Sequence, residues 1–216
     1  MSLFALLGLA LALGLRHAMD PDHVAAVAAI TSRTRRLAPA AWLGLVWGLG
    51  HTLTVFVVGG AIVAFNLVVP PRVGLSLEFV VAIALIVIGA LNLGRTPPHR
   101  HDDLARVPAG RAFVVGLVHG LAGSAAIALL VLATVRRPLD AALYLLVFGA
   151  GTLAGMVLVT TGFAAPISAA SVRWPAAPRI ARVATGLVSL VFGLWLAWQI
   201  GVVNGLFGTT PRWDPH

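Results

Sequence analysis

Two histidines and two carboxylates fall within one short stretch, His17-Ala18-Met19-Asp20-Pro21-Asp22-His23. Residues 3–15 before it and 24–30 after it are almost wholly apolar. An ionisable side chain at the centre of a membrane helix costs about 2.5–3.5 kcal/mol on insertion scales. Four of them beside Arg16 are not packing elements. Imidazole nitrogen with carboxylate oxygen is the donor set of a borderline divalent cation such as nickel, cobalt or zinc. The pattern predicts a metal site at membrane depth.

The spacing says how such a site is built. His17 and Asp20 are three apart and share a helix face. His17 and His23 are six apart and do not. Pro21 lacks an amide hydrogen, which predicts a kink or an unwound turn. A break there lets His17, Asp22 and His23 converge, and it frees carbonyls for a cation or water. The competing reading makes Asp20 or Asp22 the cap of a helix that starts at Pro21. Capping accounts for one carboxylate and for neither histidine.

Other residues qualify for the same chemistry. His51 follows Gly48-Leu49-Gly50, and glycines let helices approach closely. His51 is therefore expected against the first span, completing the site across a Gly48/Gly50 contact. Thr52 is a candidate to orient its imidazole. The alternative is a lone histidine hydrogen-bonded to a neighbour. His119 lies among small residues, with Ser124 as a polar partner, and reads equally as gate, ligand or structural histidine. Arg16 reads as a counter-charge for the carboxylates or as a structural ion pair. Glu78 and Asn92 read as polar groups near helix ends. His99-Arg100-His101-Asp102-Asp103 reads as a solvated loop with some metal-binding capacity. His216 carries no role.

The elements that must position these groups are membrane spans. The chain has 216 residues, 59% hydrophobic and 10% charged, with apolar runs along its whole length. It reads as an integral membrane protein. No polar stretch is long enough for a soluble domain, and the N-terminus lacks the basic region of a cleavable signal. The net charge of +8 would suggest nucleic acid in a soluble domain. Here the arginines sit between apolar runs, so membrane topology explains them and no nucleic-acid partner is expected. Cysteine and lysine are both absent. Thiolate ligation, disulfides and thiol redox chemistry are excluded, and any metal site uses N and O donors.

Six spans are expected, near 3–31, 39–66, 75–94, 112–134, 140–165 and 183–207. Arginines 33, 35, 36, 95, 100, 106, 111, 173, 179 and 182 follow spans one, three and five; arginines 72, 136, 137 and 212 lie on the other side. The positive-inside rule places the first group in the cytoplasm and both termini outside. The halves resemble each other. Gly14-Leu15-Arg16-His17 parallels Gly116-Leu117-Val118-His119, and Gly48-Leu49-Gly50-His51 parallels Gly149-Ala150-Gly151-Thr152. Val87-Ile88-Gly89-Ala90-Leu91 parallels Val191-Phe192-Gly193-Leu194-Trp195. Three spans per half inserts the second copy upside down. The expected fold is an all-α integral membrane protein of six transmembrane helices in two inverted three-helix repeats. One transmembrane domain is expected over 1–216, with repeat one near 1–94, a loop at 95–111 and repeat two near 112–207. Inverted repeats with broken helices are a transporter signature.

Arg16-His17-Ala18-Met19-Asp20-Pro21-Asp22-His23 resembles the signature of the nickel/cobalt transporter (NiCoT) family, usually R-H-A-x-D-A-D-H. Leu49-Gly50-His51-Thr52 resembles its second motif, usually L-G-H-S. Gly116 to Ser124 resembles the H-G-L-A-G-S stretch of the UreH-like branch of small permeases. The chain departs from the family in Pro21, which replaces the usual Ala, and in being shorter than eight-span members. The resemblance implies that His17, Asp20, Asp22, His23 and His51 matter for transport. It implies Ni2+ or Co2+ as transported substrate, with no permanently bound cofactor. Carriage is across the inner (cytoplasmic) membrane, driven by the electrochemical gradient without ATP. The wider superfamily includes efflux proteins. The resemblance also implies the cytoplasmic metallochaperones of a nickel enzyme such as urease as partners.

On these grounds a secondary transporter is expected, with uptake favoured over efflux. The membrane potential favours cation entry by about 2.3 kcal/mol per charge per 100 mV. No Walker motif is present. The alternative is an electron-transfer protein holding haem between intramembrane histidines, with His17, His51 and His119 as candidates. A metal-dependent hydrolase is disfavoured: H-E-x-x-H is absent, and the lone Glu78 lies far from the motif. No enzymatic activity is expected.

Overall fold

The computed structural model describes residues 2–32, 36–65, 67, 69–94, 109–120, 131–132, 134–135 and 137–213. All regular structure among them is helical. The helices are α1 (Leu3–His17), α2 (Pro21–Thr31), α3 (Leu37–Thr54), α4 (Gly60–Ala64), α5 (Pro71–Leu93), α6 (Ala109–His119), α7 (Pro138–Arg173) and α8 (Ala177–Trp198). A π-helical turn, Val55–Gly59, joins α3 to α4, and a second, Gln199–Val203, continues α8.

Proline sets several of these boundaries. Pro21, Pro71 and Pro138 each open a helix, where the missing amide hydrogen costs nothing. The residue before each is extended, as the proline ring demands. Pro166 lies inside α7 without ending it, so that helix runs to Arg173 rather than stopping near 165. Its 36 residues reach about 54 Å at 1.5 Å per residue.

Four helical stretches among the described residues are long and apolar enough to cross a bilayer: Leu37–Ile62, Pro71–Leu93, Pro138–Arg173 and Ala177–Val203. The pair α1 and α2, bent by 55°, makes a fifth if it is one span. The expected fourth span, 112–134, coincides with α6 as far as His119. Most of its remainder lies outside the described residues, as do Ser124, Arg33, Arg35, the His99–Asp103 loop and His216.

Apolar side chains form the core and also cover much of the outside, and several polar ones are buried. Phe4, Trp42, Leu91, Leu158 and Val191 point outward, while His17, His23, His51, Asn92, His119, Thr152 and Ser189 are buried. Apolar side chains cover the outside because their surroundings are lipid; polar ones turn inward to find partners. The chain is a multi-pass helical membrane protein.

Helix packing in the two halves is reciprocal. α1 packs on α7, α6 packs on α3, and α5 packs on α8. A methyl group at Gly14 would overlap the Phe148 carbonyl and the Thr152 amide; one at Gly116 would overlap the Trp47 carbonyl and the His51 amide. A methyl at Gly50 would overlap the Phe113 carbonyl, and one at Gly151 the Leu11 carbonyl. The same exchange holds at the third interface. Gly89 faces Leu190 and Gly186; Gly193 faces Ile86 and Ala82. Each of these three contacts in one half has its counterpart in the other, at an offset of roughly one hundred residues.

One expectation is corrected here. Gly48 and Gly50 do not face the first span. Gly48 faces Leu153 and Met156 of α7, and Gly50 faces Phe113 and Leu117 of α6. Their small size brings α3 against the second half. Reach to the motif comes from the His51 side chain instead.

Candidate metal centre

The break in the first span falls at residues 18–20. α1 ends at His17, and the turn is closed by hydrogen bonds from Met19 N to Arg16 O (2.9 Å) and Asp20 N to His17 O (3.1 Å). Asp20 occupies the N-cap position of α2, yet its side chain makes no capping bond. Its Oδ2 lies 2.8 Å from His17 Nδ1 instead. The capping alternative therefore describes where Asp20 sits and not what its carboxylate does.

The bend brings three imidazoles together. The ring centroids of His17 and His23 are 4.8 Å apart, those of His17 and His51 are 4.9 Å apart, and those of His23 and His51 are 4.8 Å apart. All three side chains are buried. One nitrogen from each lies within 4.8 Å of the others, a grouping that could hold a metal ion. Asp20, Asp22 and His23 form a second such grouping. The carboxylates lie nearer the surface than the imidazoles: the Asp20 side chain is 29% exposed and Asp22 is 14% exposed, against 4% for His17 and 0% for His23.

Hydrogen bonds fix which nitrogen each ring presents. His23 Nδ1 lies 2.8 Å from the His17 carbonyl, and His119 Nδ1 lies 3.0 Å from the Val115 carbonyl. A carbonyl only accepts, so each Nδ1 carries the hydrogen and Nε2 keeps a lone pair. The Asp20 carboxylate does the same for His17. An imidazole anchored through Nδ1 to carbonyl or carboxylate, with Nε2 free, is the usual presentation of a metal-binding histidine. His23 Nε2, His51 Nδ1 and His119 Nε2 are buried with no hydrogen-bond partner among the described residues. Leaving buried polar atoms unpaired costs about 1–3 kcal/mol each, which an ion would offset.

His17 Nε2 and His51 Nε2 are 2.8 Å apart. Two nitrogens each about 2.0–2.1 Å from one metal, at right angles, stand about 3 Å apart. Two axial haem ligands at similar lengths would stand about 4 Å apart on opposite sides of the iron. The closeness of these rings, with His23 against both, suits a bare ion and leaves no place for a porphyrin.

The remaining candidates are placed as follows. His119 is fully buried, its ring edge-on to Trp47 at 5.4 Å and 5.9 Å from His23. It stands beside the three-histidine group, outside it. Arg16 is exposed, and among the described residues no ion pair joins it to Asp20 or Asp22. The counter-charge reading of Arg16 therefore has no contact behind it. Thr52 turns its Oγ1 to the Gly149 carbonyl at 3.5 Å, on α7, rather than toward the His51 ring.

Sequence reasoning missed Trp47 and Phe148, which wall the centre. Trp47 stands edge-on to His23 at 6.1 Å, and Phe148 lies 5.5 Å from the His17 ring. Trp47 sits one helical turn before His51, a signal hidden among many apolar neighbours. Asn92 is also more than a helix-end group. It is buried and donates to the Ala29 carbonyl (2.5 Å) and Ser32 Oγ (3.3 Å), tying α5 to the end of α2.

The family model described as NicO, High-affinity nickel-transport protein, matches residues 3–94, the stretch that carries His17, Asp20, Asp22, His23 and His51. The chain is 35% identical over 219 residues to the Urease accessory protein UreH of Bacillus sp. (strain TB-90), covering 95% of this chain and 96% of the relative. No solved structure matches. The protein is thus a membrane permease in class, not an enzyme. The chain belongs to the nickel/cobalt transporter family, in its UreH-like branch.

Proposed function

We propose that this protein carries Ni2+, and Co2+ as a second cargo, inward across the cytoplasmic membrane as a secondary transporter. The ion is held by His17, Asp20, Asp22, His23 and His51 during passage, with no resident cofactor. The observation that carries the reading is the buried meeting of three imidazoles at a helix break, two of them with Nδ1 bonded to main chain or carboxylate so that Nε2 keeps its lone pair. Imidazole favours nickel and cobalt over the harder magnesium and calcium. Ligation needs neutral imidazole, so acid should weaken binding. The metallochaperones of a cytoplasmic nickel enzyme are the receiving partners on this reading.

Six spans in a single domain complete it: two inverted repeats near 1–94 and 112–207, joined by 95–111, with both termini outside. The reciprocal glycine contacts support the repeat, and the arginine distribution supports the orientation. Uptake of radiolabelled nickel and cobalt in cells with and without the gene tests the cargo and direction. Equal uptake in both would end the proposal. Cysteine tags at the chain ends should react with an impermeant reagent in intact cells, and tags at positions 34 or 102 should not. Protection of both ends would overturn the orientation.

A further inference from the structure

The two groupings of possible ligands share one residue. Asp20, Asp22 and His23 form the more exposed one; His17, His23 and His51 form the buried one. His23 Nδ1 is committed to the His17 carbonyl at 2.8 Å. Only Nε2 is left to bind an ion, and it is buried and unpartnered. It lies 3.8 Å from Asp22 Oδ2 on one side, and its ring centroid is 4.8 Å from those of His17 and His51 on the other. Asp20 is bonded to the Nδ1 edge of His17, away from the Nε2 that faces His51. An ion on His17 Nε2 and His51 is therefore not also on that Asp20 oxygen.

We propose that the ion occupies two positions in succession, a carboxylate-rich one on Asp20, Asp22 and His23 and an imidazole-rich one on His17, His23 and His51, with His23 Nε2 handing it from one to the other. One lone pair binds one ion, so the two positions are never full together. The inference rests on the metal-transport reading and deepens it. The positions differ in chemistry. Two carboxylates attract any divalent cation, hydrated or not, and oxygen donors suit magnesium and calcium as well. Three imidazoles do not hold those hard ions and do hold nickel and cobalt. The outer position captures, and the inner one discriminates. Because His23 takes part in both, the ion is never released between them. Asp20 changes task as the ion moves: it is a ligand in the outer position, and it orients His17 once the ion is inside.

Co2+ as the probe ion reads the positions separately, because its visible absorption is weak among six oxygen-type donors and strong with fewer nitrogen donors. Purified full-length protein should bind one Co2+ per chain, with strong bands that a large excess of Mg2+ leaves unchanged. The His51→Gln variant should still bind one Co2+, with weak bands and about 10–100-fold lower affinity, and Mg2+ should now displace the ion. The Asp22→Asn variant should keep the strong bands and the resistance to Mg2+ while uptake slows. His17→Gln should repeat the His51→Gln result, which guards against a variant that merely misfolds. Two ions per chain at saturation would overturn the handover. So would loss of all Co2+ in both His51→Gln and Asp22→Asn, or wild-type spectra in both. Wild-type protein that binds neither Co2+ nor Ni2+ would instead sink the transport reading itself.

Discussion

The two halves of this chain have matching glycine contacts and differ in chemistry. Gly14 lies on the backbone of Phe148 and Thr152, and Gly116 lies on the backbone of Trp47 and His51. Those pairs are equivalent under the proposed repeat. The side chains at equivalent places are not. Thr152 stands where His51 stands, and its hydroxyl bonds its own helix at the Phe148 carbonyl, 3.0 Å away. His119 stands where His17 stands, and Ala122 and Ala125 replace Asp20 and His23 in the sequence. Close helix contact depends on small residues in both halves, so substitution there is penalised equally. On the proposed reading, ligands are needed only once. A repeat can therefore keep its glycines and lose half its imidazoles.

The largest expected effect is on the half that kept the ligands. His17→Ala, Asp22→Ala and His23→Ala should each abolish metal uptake while the protein still inserts, because on the proposed reading each removes a donor that the ion must meet on its way. Uptake assays on membranes with matched protein levels check this. Near-normal uptake by any two of the three would break the assignment.

The scaffold should respond the other way, with equal damage in both halves. Gly14→Leu and Gly116→Leu each drive a side chain into the backbone of the facing helix. Overpacking of this kind costs about 1–3 kcal/mol or more. Thermal unfolding in detergent should show similar losses for the two variants. A large loss for one and none for the other would mean that the reciprocal packing is not what holds the halves together.

How much of this was legible in the sequence follows from the same contrast. The motif His17 to His23 was legible because four ionisable groups in apolar surroundings have few explanations. The break was legible because proline cannot donate. The partner of each glycine was not legible. Gly48 and Gly50 announce a close contact without saying with which helix, and they meet α7 and α6 rather than the first span. Trp47 and Phe148 were invisible for a similar reason: an aromatic residue in a membrane helix faces lipid or core, and composition does not distinguish them. Asn92 looked like a helix-end polar group because its acceptors, Ala29 and Ser32, are some sixty residues away in the chain.

A single pair of equivalent positions sharpens the comparison further. His51→Ala should lower apparent metal affinity strongly, by about 10–100-fold or more, since it removes a donor 2.8 Å from His17 Nε2. Thr152→Ala, at the equivalent place, should leave affinity within experimental error. Among the described residues, its hydroxyl bonds the helix that carries it. Metal titration of the two purified variants reads the difference, and a Thr152→Ala loss as large as that of His51→Ala would show that the second half also holds the ion.

The smallest of these effects belongs to His119, the one histidine the second half retained at a paired position. Its ring is 5.9 Å from His23 and edge-on to Trp47, and it is not part of either ligand grouping. Yet its Nδ1 is anchored to Val115 and its Nε2 is buried and unpartnered, the same presentation as His23. On the proposed reading, a side chain so placed meets the ion in passing rather than at rest. It would then contribute to the barrier more than to the bound state, and that distinction is measurable. A group felt only at the barrier changes the maximal rate and leaves apparent affinity nearly unchanged. His119→Ala should therefore slow uptake by about tenfold while equilibrium metal binding stays within about twofold. His119→Gln, which restores polar atoms in a similar volume, should recover part of the rate if polarity is what matters and none if only the imidazole serves. Loss of binding in His119→Ala, with His51→Ala binding as wild type does, would place the resting ion between the halves and erase the asymmetry from which the comparison began.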